Sequence, residues 1–335
     1  MKKHHQLLIG LLGLQIVLAI VVFWPRSAPA AAGVPLLGGL KADDVTALTV
    51  SDSQGKSIRL SKASTTTASG EPQWVLPDAE DYPVEANKVP PLLTKLVNLK
   101  ASRLATQTAA SHKRLQVADD NFVRRLDIQT ADGITRTLYL GSSAGARTVH
   151  VRVAGQNEVY LANDLATWEL GTDATSWANP IYFSVIQNDV ITITLRNANG
   201  EWTFEKDAAG NWTMQGLAPG ESLNTNNVIG LLSRVSSVRM TQPLGKTEDP
   251  SYGMLQPSAV VTVTTRQADQ QKVATLTIGA LDNTSQTYVV KSSESAFYAR
   301  VSKWVIEDLV QKTREGFLNL PPTPTPEATP TPAAG

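Results

Sequence analysis

Nothing in this sequence constrains the fold more than its resemblance to itself at a spacing of about 140 residues, the signature of one supersecondary unit used twice. Asp44-Val45 followed by Gly55 recurs as Asp189-Val190 followed by Gly200. Gln73-Trp74-Val75 has its counterpart in Asn211-Trp212-Thr213. Val84-Glu85-Ala86-Asn87, leading into Leu92, Leu93, Leu96 and Leu99, aligns without a gap with Leu223-Asn224-Thr225-Asn226, leading into Leu231, Leu232, Val235 and Val238. Leu138-Tyr139-Leu140-Gly141 pairs with Leu276-Thr277-Ile278-Gly279, and Val159-Tyr160 with Phe297-Tyr298. Separate blocks recurring in one order are hard to obtain by chance.

Each unit reads the same way. Alternating apolar residues in Val45 to Val50 and Ser57 to Leu60 predict a hairpin turning at Gln54-Gly55, and a third short strand carries the tryptophan. Val89, Leu92, Leu93, Leu96 and Leu99 then follow helical spacing, with Pro90 and Pro91 tolerable only in the first turn. In the second unit Asn224 or Thr225 is placed to cap the equivalent helix. Further strands are expected at Val123–Thr130, Thr135–Leu140, Thr148–Val153 and Glu158–Leu161, and a closing helix from Ser302 to about Thr313. Strands, a helix, then hairpin-linked strands make an α+β pattern with mainly antiparallel sheet. The expected organisation is two tandem sheet-plus-helix repeats, 44–167 and 189–318. The joint, 168–188, is expected to be packed because it holds Trp168, Trp177, Tyr182 and Phe183.

The two ends read differently. Leu7 to Trp24 run without a charge behind Lys2 and Lys3, long enough as a helix (about 27 Å) to cross a bilayer, with the lysines on the cytoplasmic side. Residues 1–24 are thus a cytoplasmic stub and transmembrane or signal segment, and 25–43 a linker. Ala28-Pro29-Ala30 also fits a cleavage site, so a single-pass anchor and secretion after cleavage near Ala30 both stand open. Either places the body outside the cytoplasm. Residues 319–335 form a Pro/Thr-rich tail, PPTPTPEATPTP at its centre, whose prolines remove backbone donors and predict an extended, disordered stretch.

Composition closes several routes. The chain has no cysteine, so acylation of an N-terminal Cys, thiol redox chemistry and disulfide staples are excluded. Lys+Arg and Asp+Glu balance at 30 each, leaving no electrostatic footprint for nucleic acid.

Several motifs resemble chemistry without its context. Gly141-Ser142-Ser143-Ala144-Gly145 satisfies G-x-S-x-G, but a nucleophile elbow needs a helix after it, and Arg147 to Val153 reads as a strand. Gly245-Lys246-Thr247 resembles the end of a phosphate loop, yet Met240 stands where the first glycine belongs. His112 and His150 lie at no metal-ligand spacing. Asp43-Asp44, Asp119-Asp120 and Glu248-Asp249 sit at element boundaries, where carboxylates cap and solvate. Trp74, Trp202 and Trp212 could stack on sugars, although the equivalence of Trp74 and Trp212 predicts packing instead. Asn211 and Asn283 fit the glycosylation sequon but carry little weight. No catalytic, cofactor-binding or metal residues, and no cofactor, are therefore expected.

The N-terminal apolar segment, the Asp-Val strand opening, the Trp strand before a leucine helix and the Leu-x-x-Gly strand end resemble the bacterial domain of unknown function 4340. Tyr252-Gly253-Met254 followed by Pro257 is similar to that family's Tyr-Gly-Leu…Pro element; in the first unit the matching stretch is Lys113-Arg114-Leu115 ahead of Ala118. The resemblance spans roughly 44–315. It implies an extracytoplasmic companion of an ABC-type transport system, and brings no catalytic residues with it. The leading expectation is accordingly a non-catalytic accessory or scaffold protein, held at the membrane by its N-terminal helix and binding protein partners. A glycan-binding envelope module is the alternative, and a hydrolase using Ser143 the third reading.

Overall fold

A computed structural model describes residues 33–66, 72–145, 147–268 and 270–319, together with Gln15. The apolar segment Leu7 to Trp24, the Ala28-Pro29-Ala30 site and the tail from Pro321 lie outside the described residues. Among the described residues no helix is long and apolar enough to cross a membrane.

The period-two pattern becomes strand and the leucine pattern becomes helix. The first half runs β1 (Val34–Pro35), β2 (Val45–Asp52), β3 (Ser57–Thr66), β4 (Pro72–Leu76) and β5 (Tyr82–Pro83) into helix α1 (Val89–Val97). Then come β6 (Lys100–Ala101), β7 (Arg103–Thr106), the one-turn helix α2 (His112–Leu115) and the small hairpin β8 (Val117–Ala118) and β9 (Asn121–Phe122). Four longer strands follow: β10 (Arg124–Thr130), β11 (Thr135–Gly145), β12 (Thr148–Val153) and β13 (Val159–Asn163). The second half holds β14 (Ile181–Ser184), β15 (Val190–Asn197), β16 (Gly200–Lys206), β17 (Trp212–Met214), helix α3 (Thr225–Val235) and β18 (Ser237–Gly245). It ends with β19 (Ala259–Gln267), β20 (Gln270–Asp282), β21 (Thr287–Ser292), β22 (Tyr298–Ser302) and helix α4 (Lys303–Gln311). The architecture is mixed α+β, mostly antiparallel sheet with few helices.

Two nine-stranded sheets dominate, ordered β5-β4-β3-β2-β10-β11-β12-β13-β7 and β17-β16-β15-β19-β20-β21-β22-β18-β14. Outward from the tryptophan strands β4 and β17 the two orders run alike; β5 and β14 stand apart at opposite ends of that series. Burial follows the pleat: β19 buries Ala259, Val261 and Val263, while β10 buries Leu126 and Ile128. Trp74 pairs across the ladder with Lys62, and Trp212 with Lys206. Each ammonium lies over its ring, 5.8 Å and 5.3 Å from the centroids. Both indoles are buried, so this pair of tryptophans packs, as their equivalence predicts.

The chain divides into two compact units. One gathers the residues up to Val45, Val50–Lys56 and Leu92–Leu170; the other Thr46–Thr49, Ser57–Pro91 and the chain from Gly171. In the first unit, the stretch expected as linker is ordered from Gly33 on. Val34 pairs with Ala101 and Pro35 with Lys100, Leu36 N donates to Leu99 O (2.9 Å), and Leu37 and Leu40 are buried. Three leucines within five residues supply the apolar surface that holds it down.

In the second unit α3 buries Val228, Leu231, Leu232 and Val235. Asn224 stands at its N-cap, but its side chain makes no capping bond, contrary to expectation. Its backbone N–H donates instead to Phe317 O (2.8 Å), and the Asn227 amide donates to Gly316 O (2.8 Å). The segment beyond α4 is therefore tied to the start of α3 through a backbone and a side-chain hydrogen bond. At the other helix, Asn197 Nδ2 donates to Leu309 O (2.9 Å) and Lys312 O (3.0 Å), closing the last turn of α4. Trp177, Tyr182 and Phe183 are buried, whereas Trp168, expected to pack with them, is 80% exposed in the first unit.

Candidate functional site

The residues that resembled chemistry are engaged by the fold. Gly141–Gly145 forms the end of β11, and the chain turns directly into β12, with register shifts at Ser143. Ser143 Oγ is exposed and donates to Gly145 O (2.9 Å), bracing the turn. His150 meets not Ser143 but Ser142. His150 Nδ1 lies 2.8 Å from Ser142 O and 3.2 Å from Ser142 Oγ. A carbonyl can only accept, so Nδ1 carries the proton and has no lone pair for the hydroxyl. Ser142 Oγ is placed to donate to Leu115 O (3.3 Å). This arrangement holds a hairpin; it does not activate an oxygen.

His112 is buried, with Nε2 2.9 Å from Asn157 O. The Asp119-Asp120 pair splits between two cations. Asp120 meets Lys113 (2.8 Å), and Asp119 meets Arg152, whose side chain is only 4% exposed and which donates through Nε to Val117 O (2.6 Å). The Arg152 guanidinium stacks 4.5 Å from the Tyr139 ring centroid. Around it Leu115, Val117, Tyr139 and Val159 form a small core with Phe122 packed against it. The 109–122 excursion is thus fastened to the sheet by a buried cation as well as by apolar contact.

Arg152 holds the Asp119 carboxyl below the usual carboxylate range, with Tyr139 assisting against the cost of burial. A depressed folded value means the pair contributes stability above the unfolded carboxylate pKa, about 3.9, and loses it as pH falls through the folded value. Asp119→Asn should therefore melt lower than the parent chain at neutral pH, the two curves converging as the pH falls through the lowered folded value. Melting temperatures read from pH 7 downward test this; a constant difference at every pH would remove the ion pair from the account.

Gly245-Lys246-Thr247 is not an empty phosphate cradle. Glu80, held in the left-handed region (φ 51°), points its carboxylate into it: Oε2 accepts from Lys246 N (2.9 Å) and Thr247 N (3.1 Å). The Lys246 N–H foremost, then the Thr247 side chain, lower the Glu80 pKa. Glu248 accepts from Tyr298 Oη (2.8 Å), and Asp249 caps the turn at Pro250 through Ser251 N (2.8 Å). Among the described residues no three His, Asp or Glu side chains gather into a metal-sized cluster.

The Tyr-Gly element and the Leu-x-x-Gly strand end prove to be mates. Gly253 takes φ +69°, and the Tyr252 carbonyl then lies over Gly279, where a Cβ would sit 2.0 Å from it. The same contact recurs at Gly141, whose Cβ would sit 2.1 Å from Leu115 O. Gln116, at φ 57°, takes the conformation of Gly253. The first-half match to Tyr252-Gly253 is therefore Leu115-Gln116, not Lys113-Arg114: a non-glycine residue in a left-handed position hid it.

Trp202 cannot stack on a ligand. It is buried, 5.6 Å from the Phe317 ring. Among the described residues the exposed indoles are Trp168 and Trp304 (80% and 77%). Trp168 borders a hollow of about 450 Å³ with Lys95, Arg147, Asp164 and Glu169. Lys95 and Asp164 also line a second hollow of about 520 Å³ that includes Asn98, Asn163 and Ser102. Trp168 stands on a short turn fixed by Glu169, which accepts from Ala166 N (3.2 Å) and pairs with Lys95. An aromatic face beside amide, hydroxyl and charged groups suits a polyhydroxylated ligand.

A family model described as Domain of unknown function (DUF4340) matches residues 74–257. No curated protein and no solved structure matches the chain.

Proposed function

We propose, from the premise that the chain belongs to the domain-of-unknown-function 4340 family, that it is a non-catalytic, extracytoplasmic accessory or scaffold protein of a membrane assembly, associated with an ABC-type transport system. One observation carries this reading: the polar side chains of the motifs that resemble catalytic or phosphate-binding ones serve the fold. Arg152, His112, Glu80, Asp119 and Glu248 each have a structural partner, while large side chains such as Trp168, Trp304 and Leu255 face solvent. Exposed aromatic side chains of that kind are available to a partner and support the binding reading. The reading includes a body made of two tandem copies of one repeat, supported by the parallel strand orders, the paired Lys62/Trp74 and Lys206/Trp212, and the shared contact at Gly141 and Gly279. It also includes an N-terminal membrane anchor, on the length and apolarity of Leu7 to Trp24.

The full-length chain, extracted in mild detergent from its own host, should retain an integral membrane partner in fixed stoichiometry. Elution alone, at its own mass, across several detergents would overturn the proposal.

The exposed Trp168 beside its polar hollow favours a second reading, a glycan-binding envelope module. Stacking of one base-sized or sugar-sized ring on an indole contributes on the order of 1 kcal/mol, so loss of it should weaken binding about fivefold or more. Cell-wall pull-down should therefore weaken in Trp168→Ala; unchanged retention would end this alternative.

A further inference from the structure

We infer that the hollow between α2 and the outer strands of the first sheet is an oxyanion-binding site, taking the phosphate group of an organic phosphate. The strand registers build it. His150 on β12 lies opposite Leu161 on β13, and Leu161 lies opposite Arg103 on β7. Directly opposed residues share a face, so the three form a row, with Arg103 and His150 Cα atoms about 10 Å apart at two strand spacings. Arg114 on α2 borders the same hollow, which measures about 420 Å³. Both guanidiniums can reach a common point from such positions.

The electrostatics are one-sided. The lining contains Arg103, Arg114 and His150, and no carboxylate. Three other arginines of this sheet are held: Arg124 by Leu170 O and Val123 O, Arg125 by Asp127, Arg152 by Asp119 and Val117 O. Arg103 and Arg114 have no hydrogen-bond or ion-pair partner among the described residues. Two guanidiniums that line one concavity without a protein partner are placed to share an anion. His150 adds a nitrogen of defined role. Its Nδ1 proton is committed to Ser142 O (2.8 Å), which leaves Nε2 without a protein partner among the described residues.

Phosphate fits better than a bare small anion. Planar guanidinium forks match its oxygens, and the volume exceeds what one tetrahedral ion fills. Leu115, Ala144 and Leu161 supply an apolar wall for the organic part. The hollow is distinct from the Trp168 region, sharing none of its lining residues, and does not rest on the glycan reading.

Calorimetric titration of the full-length chain in mild detergent with glycerol 3-phosphate tests the site. Binding should be at least tenfold weaker in Arg103→Gln and in Arg114→Gln, and unchanged in Arg266→Gln, an exposed arginine of β19. Vesicles of phosphatidylglycerol in phosphatidylcholine provide the second arm. Binding to them alone, lost in the same two variants, assigns the phosphate to a lipid headgroup. Binding to glycerol 3-phosphate assigns it to a soluble ester. Neither binding, or equal binding by all three variants, overturns the proposal. Because the Arg103 and Arg114 side chains make no bonds among the described residues, parental melting temperatures are expected for both variants. A melting loss would instead place them in the fold and count against the site.

Discussion

Gly279→Ala should destabilise the folded body by about 3 kcal/mol or more, although it adds one methyl group to a strand. The added Cβ would lie 2.0 Å from the Tyr252 carbonyl oxygen and 2.9 Å from Met254 Cε. A methionine tip can swing away, but the carbonyl belongs to the turn Pro250–Tyr252, which Asp249 caps and Gly253 closes. Either that turn lifts off the sheet or the strand bends. Gly141→Ala should behave the same way, with Leu115 O at 2.1 Å and Val117 Cγ1 at 2.7 Å. The control is Gly230→Ala in α3. There the Cβ meets nothing within 4 Å, and the same substitution should stabilise by roughly 0.5–1 kcal/mol through helix propensity. Urea unfolding of the three variants gives opposite signs for one chemical change. Parental stability in both Gly279→Ala and Gly141→Ala would mean the two excursions do not rest on their strands.

Phe317→Ala is expected to cost about 3–5 kcal/mol, the range for emptying a fully buried aromatic site. The ring is 0% exposed and lies 4.6 Å from the Phe204 centroid and 5.6 Å from that of Trp202. Its backbone also serves α3, because Phe317 O accepts from Asn224 N. Phe317→Leu keeps most of the volume and should cost under about 1.5 kcal/mol. If the two variants unfold at the same urea concentration, the aromatic cluster does not hold the second sheet as described. The contact also explains why the folded body continues past α4 to Asn319, whose N–H and side chain bond Ser222. The proline-rich tail starts only after that anchor.

Much of the fold was legible in local pattern. The hairpins, the leucine helix with Pro90 and Pro91 in its first turn, and the closing helix all follow from spacing along a few consecutive residues. Repetition added reach, since the equivalence of Trp74 and Trp212 pointed to packing before any contact was known. The small elements were not legible. α2, β8 and β9 are too short to carry a period, and Gln116 conceals a left-handed turn that Gly253 announces. Asn224 illustrates the opposite failure: its residue type fits a cap, but its side chain makes no capping bond while its backbone N–H is held by the remote Phe317 carbonyl.

The candidate sites depended most on distance along the chain. Trp202 and Trp168 are the same residue type in similarly polar surroundings, yet one is covered by Phe317 and the other by nothing large. Glu80 occupies the backbone donors of Lys246 and Thr247 across the unit that both belong to. Arg103, Leu161 and His150 fall into one row because β7 pairs beside β13 and β13 beside β12. The sheet-forming alternation and the family membership are properties of short stretches and could be read directly. Which face is covered, which charge finds a partner and which indole meets water follow from pairings between remote segments. Those pairings depend on how all the apolar surfaces are buried together, a condition no stretch of neighbouring residues records.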